Sequence, residues 1–337
     1  MLVNKSNLQE ALGIVKPGLA KKEVLEQSTS FAFLKNRVIA FNEDFCISHP
    51  VKGIRLKGAV ETDKLYQLLA KIKQEEIDFE VESTDGAGEN NLLIIKAGKI
   101  RAGLSLHSVV KLPLEEEIMD RGDWNPLPEL FLKLLSVCIP LSATKMSDPI
   151  LTCIHVNKEG VIESSNNHCL MRCELPEQMP INTFLLPRES ARLLITNNPT
   201  SISEGKGWVH FKNDEGTVFS SRVFEGKFPD TTMFFTGTNG IKLIFPRKIL
   251  DMINRGEVFN SESIELSIKN KILTLKAKTE IGWFQEKSNI PYEGTFSFSI
   301  TPQLLKNILT ETRHGQHTKN TLIFTGENWK YVTTFIQ

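Results

Sequence analysis

Three stretches of the sequence decide the fold: AVETDKLYQLLAKI (59–72), FLLPRESARLLIT (184–196) and FSITPQLLKNILTE (298–311). Each is predicted to be a short strand that continues into a helix with one apolar stripe. Alignment of Thr62, Pro187 and Pro302 brings three apolar pairs into register, Leu68/Leu69, Leu193/Leu194 and Ile308/Leu309. The copies are roughly 115 to 125 residues apart, a domain-sized spacing much longer than a solenoid repeat. The sequence therefore predicts three similar domains with pseudo-symmetry.

A second apolar-striped helix precedes each of these stretches. Its apolar positions align between the copies as Leu8/Ala11/Leu12, Phe131/Leu134/Leu135 and Ile249/Met252/Ile253. The copies are separated by the acidic, Pro-bearing segment KLPLEEEIMDRGDWNPLPE (111–129) and by FPDTTMFFTGTNG (228–240). The predicted domains are therefore residues 1–122, 123–238 and 239–337.

Between the helices the chain reads mainly as β-strands. In the first copy, β-favouring runs predict strands at 31–34, 37–41, 46–51, 78–82, 92–95 and 100–106. In the third copy, SIELSIKNKILTLKAK (263–278) is apolar at every second residue around a Lys-Asn turn, which predicts a hairpin with one buried face. Thr62 and Thr301 are expected to cap their helices. Each copy is thus predicted to be an α+β unit with two helices packed on a sheet.

The charge balance limits how the chain can bind a polyanion. Lys plus Arg number 40 and Asp plus Glu number 40, so the formal net charge is zero. Affinity for a polyanion must then come from local segregation of charge. There is no apolar run of about 18 residues that could cross a membrane, and the N-terminal residues lack an apolar signal core. We expect a cytoplasmic protein.

The five cysteines do not predict a disulfide framework, because an odd number in strand-like or core-like contexts indicates a reducing compartment. His168, Cys169 and Cys173 lie close together in sequence and could hold a metal. They lie, however, in an alternating apolar segment without a second ligand pair at zinc-finger spacing. We expect buried thiols and no metal site.

The sequence gives no motif for catalysis. Gly86 and Gly88 lie in a turn between strands, with no helix following to present backbone amides to a phosphate. Neither a phosphate-binding G-x-x-x-x-G-K-[ST] loop nor a G-x-S-x-G elbow is present. We therefore expect neither an enzyme nor a cofactor, although a hydrolase with a site that motifs do not reveal is an alternative.

Basic residues recur on the helices and adjoining loops of all three copies. Exposed helix faces often carry Lys and Arg for solubility alone, but equivalent positions in every copy favour a shared role. If the helices surround an axis, these charges line one surface that holds phosphates without reading bases. The predicted DNA-binding residues are Lys5, Lys16, Lys21, Lys22, Lys64, Lys71, Lys133, Lys145, Arg188, Arg192, Lys248, Arg255 and Lys306.

Four segments together resemble the bacterial-type DNA sliding clamp, the β subunit of DNA polymerase III. The segment VFEGKFPD (223–230) resembles the end of the family's second domain, and FLLPRESARLL (184–194) resembles its strand followed by a Pro-Arg helix start. GVIESSNNHCLMRCEL (160–175) lies where the family has Ala-Thr-Asp-Gly-His-Arg-Leu-Ala, with His168 and Leu170 in agreement. IPYEGTFSFSITPQLLKNIL (290–309) follows its Tyr-x-Gly pattern. The resemblance covers essentially the whole chain.

This resemblance implies three tandem DNA-clamp domains and a head-to-tail dimer that closes a six-domain ring around duplex DNA. The implied partners are double-stranded DNA, a DNA polymerase, a clamp loader, other proteins with a clamp-binding motif, and a second copy of this chain. The implied dimer interface contains Leu104, Leu106, Val258 and Phe259. Peptides would bind in an apolar cleft between domains two and three, formed by Ile162, His168, Cys169, Leu170, Phe235, Thr236, Phe335 and Ile336.

Two features depart from the family pattern. The chain ends in Thr-Thr-Phe-Ile-Gln where the family commonly has Met-Pro-Met-Arg-Leu, and KKEVLEQ (21–27) replaces an Arg-Pro-Thr-Leu-Pro-Ile-Leu run. A divergent clamp, a processivity factor without catalytic activity, is the main hypothesis. The alternative is a scaffold or assembly protein that keeps the clamp fold without encircling DNA.

Overall fold

The computed structural model describes residues 1–83, 90–114, 118, 121–143, 148–235, 240–259, 261–318 and 320–335. Six α-helices lie in these ranges. They are α1 (Lys5–Val15), α2 (Thr62–Lys71), α3 (Phe131–Cys138), α4 (Arg188–Asn197), α5 (Ile249–Glu257) and α6 (Pro302–Glu311). No helix in this part of the chain is long and apolar enough to span a bilayer, the longest having 11 residues.

Strands make up most of the remaining described structure. The strands up to residue 165 are β1 (Leu2–Asn4), β2 (Ser30–Leu34), β3 (Arg37–Phe41), β4 (Phe45–Pro50), β5 (Gly58–Glu61), β6 (Glu76–Ser83), β7 (Asn90–Ala97), β8 (Ile100–His107), β9 (Asn125–Pro126), β10 (Cys153–Val156) and β11 (Val161–Ser165). The later strands are β12 (Cys169–Glu174), β13 (Phe184–Pro187), β14 (Ser201–Gly205), β15 (Trp208–Lys212), β16 (Val218–Arg222), β17 (Ile241–Ile244), β18 (Ile264–Lys269), β19 (Ile272–Thr279), β20 (Gly282–Asn289), β21 (Phe296–Ile300), β22 (His314–His317), β23 (Thr321–Thr325) and β24 (Trp329–Thr334). Each predicted strand of the first copy and the predicted hairpin of the third are confirmed.

The chain divides into two compact units that do not coincide with single copies of the repeat. The first unit is Met1–Leu127, Pro180–Asn182 and Glu189–Phe224, and the second is Pro128–Met179, Thr183–Arg188 and Glu225–Gln337. The second copy of the repeat is therefore shared between the units. The boundaries at 122/123 and 238/239 stay a prediction.

In the first unit, one antiparallel sheet has the order β1-β6-β7-β8-β5-β2-β3-β4-β16-β15-β14-β9. Strands of the first copy join strands of the second copy where β4 pairs with β16, which we call the first junction. Helix α1 packs on β3 and β4 and also against α2. Leu8, Leu12 and Val15 of α1 are fully buried, as the apolar stripe predicts.

The second unit has an eight-stranded sheet, β13-β10-β11-β12-β24-β23-β22-β17, and a four-stranded sheet, β20-β19-β18-β21. Strands of the second and third copies meet where β12 pairs with β24, which we call the second junction. Helix α3 packs on β11 and β12, while α5 packs on β19 and β20 and against α6. The fold class, two helices on antiparallel sheets in each repeat, is confirmed.

The two junctions are equivalent residue by residue. In the first, Cys46 of β4 lies opposite Ser220 of β16, which lies opposite His210 of β15. In the second, Leu170 of β12 lies opposite Val332 of β24, which lies opposite Ile323 of β23. The turns that lead into β4 and β12 also match, because Asn42 and Asn166 each accept hydrogen bonds from the backbone two and three residues on. The repeat therefore extends to hydrogen-bond register.

Two-residue turns close the β2–β3 and β18–β19 hairpins. Lys35 and Asn36 have φ of 50° and 61°, and Asn270 and Lys271 have φ of 52° and 61°. Paired positive φ values match the right-handed twist of the flanking strands, as type I′ turns do. The Lys-Asn pairs in the sequence thus predicted the hairpin positions, although in the second hairpin the turn residues are Asn270 and Lys271, one position later.

The helix caps differ from expectation. The predicted Thr62 cap is wrong: its hydroxyl donates a hydrogen bond to the carbonyl of Thr29 at 2.7 Å, and Glu61 occupies the N-cap position of α2. Thr301 does occupy the N-cap position of α6 and Pro302 begins the helix, but the Thr301 side chain makes no capping hydrogen bond. A threonine hydroxyl that can reach a strand carbonyl in the core leaves the cap unfilled.

The contact between β5 and β8 predicts a large cost for one glycine substitution. A Cβ on Gly58, whose φ is 136°, would lie 2.5 Å from the carbonyl oxygen of His107 and 2.8 Å from Cδ1 of Leu106. Gly207 also has a positive φ, 74°, but no atom lies within 4 Å of its built Cβ. It is the matched control.

We expect Gly207→Ala to lower the free energy of unfolding by about 1 kcal/mol, the cost of a left-handed backbone. Gly58→Ala should cost roughly 1–3 kcal/mol more, because strand β8 has to move. Urea unfolding followed by circular dichroism measures both. Equal losses in the two variants would show that β5 and β8 are not in this close contact.

Candidate functional site

An apolar cavity of about 180 Å³ lies at the second junction. Its base is the facing pair Leu170 and Val332, which pack with Ile323 into a buried cluster that Phe235 partly covers. Phe228 and Phe234, from the segment that follows the second copy, line the cavity as well. Five apolar side chains thus surround a concave space on the sheet, a chemistry suited to apolar side chains of a ligand.

The rim of this cavity is fixed by the turn before β12. Oδ1 of Asn166 accepts hydrogen bonds from the backbone N–H groups of His168 and Cys169 at 3.2 and 2.9 Å. Asn167 has a φ of 71°, which asparagine tolerates. The carbonyl of His168 accepts a hydrogen bond from the N–H of Thr334 at 2.9 Å, so the last residue of β24 is tied to the rim. The His168 side chain remains exposed.

A buried carboxylate anchors the segment that supplies Phe228 and Phe234. Glu163 of β11 accepts a short hydrogen bond from the hydroxyl of Thr231. The same carboxylate lies 3.2 Å from Nε of Arg172 and 3.1 Å from Nδ1 of His155. The ring of His155 in turn stacks on Phe228, with centroids 5.0 Å apart. These contacts hold the segment against the sheet, so the cavity is preformed.

A second cavity, of about 470 Å³, lies next to the first and shares His168, Cys169 and Thr334 with it. Phe335 lines this second cavity and packs against Phe296 and His317, with ring centroids 4.8 and 5.0 Å away. Burial lowers the pKa of His317. The two cavities together form one continuous groove along the end of β24.

The predicted cleft residues are only partly brought together. His168, Cys169 and Leu170 line the first cavity, and Phe235 packs on its base. Phe335 lies in the second cavity. Ile162 is fully buried on the side of α3, where its carbonyl is 3.7 Å from the Cys138 thiol, and it lines neither cavity. Thr236 and Ile336 lie outside the described residues.

Sequence reasoning missed four cavity residues, namely Leu151, Phe228, Phe234 and Thr334. Phe228 lies inside the VFEGKFPD segment, so a signal for it was present. Leu151 lies in a 3-10 turn, Pro149–Thr152, that follows no repeat position used in the alignment. Its place in the cavity depends on tertiary folding alone.

The cysteines behave as buried thiols. The Cys169 thiol contacts the Thr333 hydroxyl at 3.4 Å and accepts a hydrogen bond from the Tyr331 hydroxyl at 3.0 Å, and burial raises its pKa. Cys138 and Cys173 are 3.7 Å apart at sulfur and are not bonded. Among the described residues, no group of three His, Cys, Asp or Glu side chains could hold a metal ion.

The predicted DNA-binding residues fall into two groups. Lys16, Lys21, Lys22, Lys64, Lys71, Lys133, Arg192 and Lys248 are exposed. Lys16 lies over the ring of Tyr66 at 4.4 Å, and Arg192 lies 3.5 Å from Glu189.

The other basic residues are more strongly held. Lys5 is buried, donates to the carbonyl of Ile72 and pairs with Glu75, so its ammonium faces the protein. Arg255 makes a bidentate ion pair with Glu286, and Lys306 lies 3.4 Å from Glu257. Arg188 donates to the carbonyl of Ser142. Lys145 lies outside the described residues.

Two sheet edges lie near the predicted interface residues. Ile100–Ser105 of β8 pair with β7 only, because β5 reaches no farther than Leu106 and His107. Leu104 is half-buried and Leu106 is buried. In the second unit, β20 is a sheet edge that exposes Trp283, and next to it Val258 is 76% exposed while Phe259 lies against Phe284 with ring centroids 6.0 Å apart.

Comparison with known proteins identifies one kind of relative, although no family model matches the chain. The beta sliding clamp of Rickettsia felis is 23% identical over 344 residues, covering 92% of this chain and 89% of that protein. Among solved structures, the DNA polymerase beta subunit of Streptococcus pyogenes and the DNA polymerase sliding clamp of Caulobacter crescentus each superpose with a TM-score of 0.78. Each is 16% identical and covers 100% of this chain and 99% of the other. The chain therefore has the DNA polymerase III beta subunit fold, and its predicted resemblance to the beta sliding clamps is confirmed as that of a divergent relative.

Proposed function

We propose that this chain is a DNA sliding clamp, a non-catalytic processivity factor that encircles duplex DNA and tethers a polymerase to it. The observation that carries the proposal is the match of the fold with sliding clamps over the whole chain. A groove with an apolar base at the second junction supports it, since a tethering protein needs a site for its partners. A cytoplasmic location accords with this role.

The proposed DNA contacts are the exposed basic residues of the helices and adjoining loops. They are Lys16, Lys21, Lys22, Lys64, Lys71, Lys133, Arg192 and Lys248, to which Arg255 and Lys306 can contribute when DNA phosphates compete with their carboxylate partners. We leave Lys5 out, because its ammonium is engaged inside the protein. Such contacts neutralise phosphates without reading bases, and a closed ring needs only moderate affinity to slide.

Encirclement predicts that retention on DNA depends on DNA topology. After loading by a clamp loader onto a nicked circular plasmid, the protein should stay bound through gel filtration and should leave once the plasmid is linearised. Equal retention on circular and linear DNA would indicate simple surface binding, which contradicts a ring. Lys64→Glu combined with Lys71→Glu should lower the salt dependence of binding to short duplexes by about 0.9 per lost phosphate contact. Lys158→Glu combined with Lys206→Glu, both exposed in turns, is the control.

The groove at the second junction is proposed to bind a short peptide of the polymerase, the loader or another clamp-binding protein. Apolar side chains of the peptide would enter the cavity over Leu170 and Val332. The peptide would continue past the rim at His168 into the second cavity, where Phe335 provides an aromatic wall. Because β12 and β24 are both hydrogen-bonded strands, little reorganisation is needed, which favours affinity.

One exposed phenylalanine tests this groove without disturbing the core. Phe234 lines the first cavity and is 43% exposed, whereas its neighbour Met233 is 73% exposed and does not line it. Phe234→Ala should weaken binding of a polymerase-derived peptide roughly tenfold, the loss of about 1.4 kcal/mol that an aromatic contact commonly gives. Met233→Ala should leave the affinity unchanged. Fluorescence anisotropy measures both, and the same loss in both variants would count against the cavity.

We further propose a head-to-tail dimer in which the free edge of β8 meets the edge of the third copy at β20 of a second chain. Exposed sheet edges carry unpaired backbone groups that favour pairing with another strand. Leu104 and Leu106 would contribute from one chain, and Val258 and Phe259 from the other. Closure after two chains satisfies the symmetry requirement for such heterologous contacts.

Two exposed valines provide a matched pair for the dimer. Val258 is 76% exposed beside β20, and Val24 is 72% exposed in the first unit. A buried unpaired carboxylate at an interface costs several kcal/mol, so Val258→Asp should convert the dimer to a monomer at micromolar concentration. Val24→Asp should remain dimeric. Light scattering after gel filtration reads the mass of each, and a dimeric Val258→Asp protein would remove Val258 from the interface.

A further inference from the structure

The first junction carries a different chemistry from the second at equivalent positions. Where the second junction has the apolar pair Val332 and Ile323, the first has Ser220 and His210. His210 is fully buried, donates or accepts at Nδ1 with the Ser220 hydroxyl at 2.8 Å, and has no hydrogen-bond partner at Nε2 among the described residues. The two junctions therefore share a framework but do not suit the same ligand.

The segment after the first copy fills part of the first junction. Leu112, Leu114 and Ile118 pack into a buried cluster with Ile39 and Cys46 of the sheet. Phe235 has the corresponding place at the second junction. A cavity of about 420 Å³ remains beside this cluster, with Leu114 and Ile118 on one side and Ile39, Cys46 and Val218 of the sheet at its base. Its base is thus apolar, as at the second junction.

The rim of this cavity, in contrast, is cationic. Among the described residues that line it, four are basic and none is acidic. The basic residues are Lys35, Arg37, Arg121 and Lys212. The ring of Trp124 lies between two of them, with the Arg121 guanidinium 5.2 Å and the Lys212 ammonium 4.7 Å from a ring centroid. A concave site with several cations and no neutralising carboxylate attracts anionic groups.

The cations are held in place by the fold. Nη2 of Arg37 donates to the carbonyls of Ser48 and Gly216 at 2.9 and 2.6 Å, and its Nε donates to the Ser48 hydroxyl at 2.7 Å. Arg121 forms a β-bridge to Gly205, and the N–H of Gly122 donates to the carbonyl of Glu204 at 2.8 Å. Burial and the nearby charge of Arg121 lower the pKa of Arg37. An anion bound here would relieve this repulsion between fixed like charges.

Carboxylates fit this rim better than nucleotides do. Base stacking on Trp124 would have to displace Arg121 or Lys212 from the indole, and stacking on aromatic rings is a main source of affinity for single strands. Carboxylates can bind both cations where they are. The apolar base beneath then favours a ligand that also has an apolar side chain.

We propose that the first junction is a second peptide-binding site of this protein, selective for a segment in which acidic residues flank an apolar side chain. The apolar side chain lies over Ile39 and Val218, and the acidic groups bind Arg121, Lys212 and Lys35. The site differs from the groove at the second junction in lying in the other compact unit and in using charge. It does not require that the chain encircle DNA.

The probe is a fluorescein-labelled peptide, Asp-Asp-Leu-Leu-Asp-Asp, with Asn-Asn-Leu-Leu-Asn-Asn as its neutral counterpart. Anisotropy should show binding of the acidic peptide that weakens with salt, and much weaker binding of the neutral one. Arg121→Glu combined with Lys212→Glu should reduce the affinity at least about tenfold, the usual effect of reversing close charge pairs. Lys52→Glu combined with Lys206→Glu changes the net charge equally at exposed positions of the same unit and should leave the affinity unchanged.

Further variants separate this site from the proposed groove and from loss of folding. Lys212→Gln removes one charge without reversing it and should give an intermediate loss, with an unaltered circular dichroism spectrum. Phe234→Ala should not change binding of the acidic peptide. Equal losses in the two charge-reversal variants, equal binding of the neutral peptide, or loss on Phe234→Ala would each overturn the proposal. Tighter binding of a single-stranded oligodeoxynucleotide that is lost in the same variants would overturn the choice of a peptide.

Discussion

The antiparallel pairing of β4 with β16 and of β12 with β24 is the constraint on which the rest of the structure depends. Each pairing makes one continuous sheet from strands of two copies of the repeat. Backbone hydrogen bonds leave little freedom for rotation between the strands that they join, so the copies cannot move as independent beads across these junctions. Every concave site on the chain that we assign to a ligand is built on one of these two pairings.

The two junctions solve the same problem, anchoring the segment that follows, by different means. At the first, apolar side chains such as Leu114 and Ile118 pack on Ile39. At the second, the position equivalent to Ile39 is Glu163, which binds Thr231 and is balanced by Arg172. A buried carboxylate requires several partners to offset its desolvation. The polar anchor therefore fixes the segment at one point and leaves the neighbouring phenylalanines to line an open cavity.

Much of the fold follows from local patterns in the sequence, but the sites do so less completely. The helical stripes, the alternation in β18 and β19 and the Lys-Asn turns are periodic or local signals, and all agree with the structure. The base of the cleft at Leu170 was also found, through its resemblance to a family segment. The roles of Leu151 and Ile162 were not, because which face of a strand or turn reaches a cavity is decided by packing that sequence spacing alone does not contain. Lys5 shows the same limit, since a lysine on a polar helix face can still turn into the protein when a carbonyl and Glu75 are within reach.

The distribution of ion pairs bears on how a protein of zero net charge can attract DNA. In the third copy, Arg255 and Lys306 are each neutralised by a glutamate, whereas Lys21, Lys22, Lys64 and Lys71 of the first copy form no ion pair with a described residue. An exposed ion pair contributes little to stability but removes a charge from the field that a phosphate experiences. The first copy therefore provides the stronger attraction within the chain. In a head-to-tail dimer, two such copies would face the DNA from different chains, so a ring could hold the duplex with charge concentrated in two of its domains and remain mobile along it.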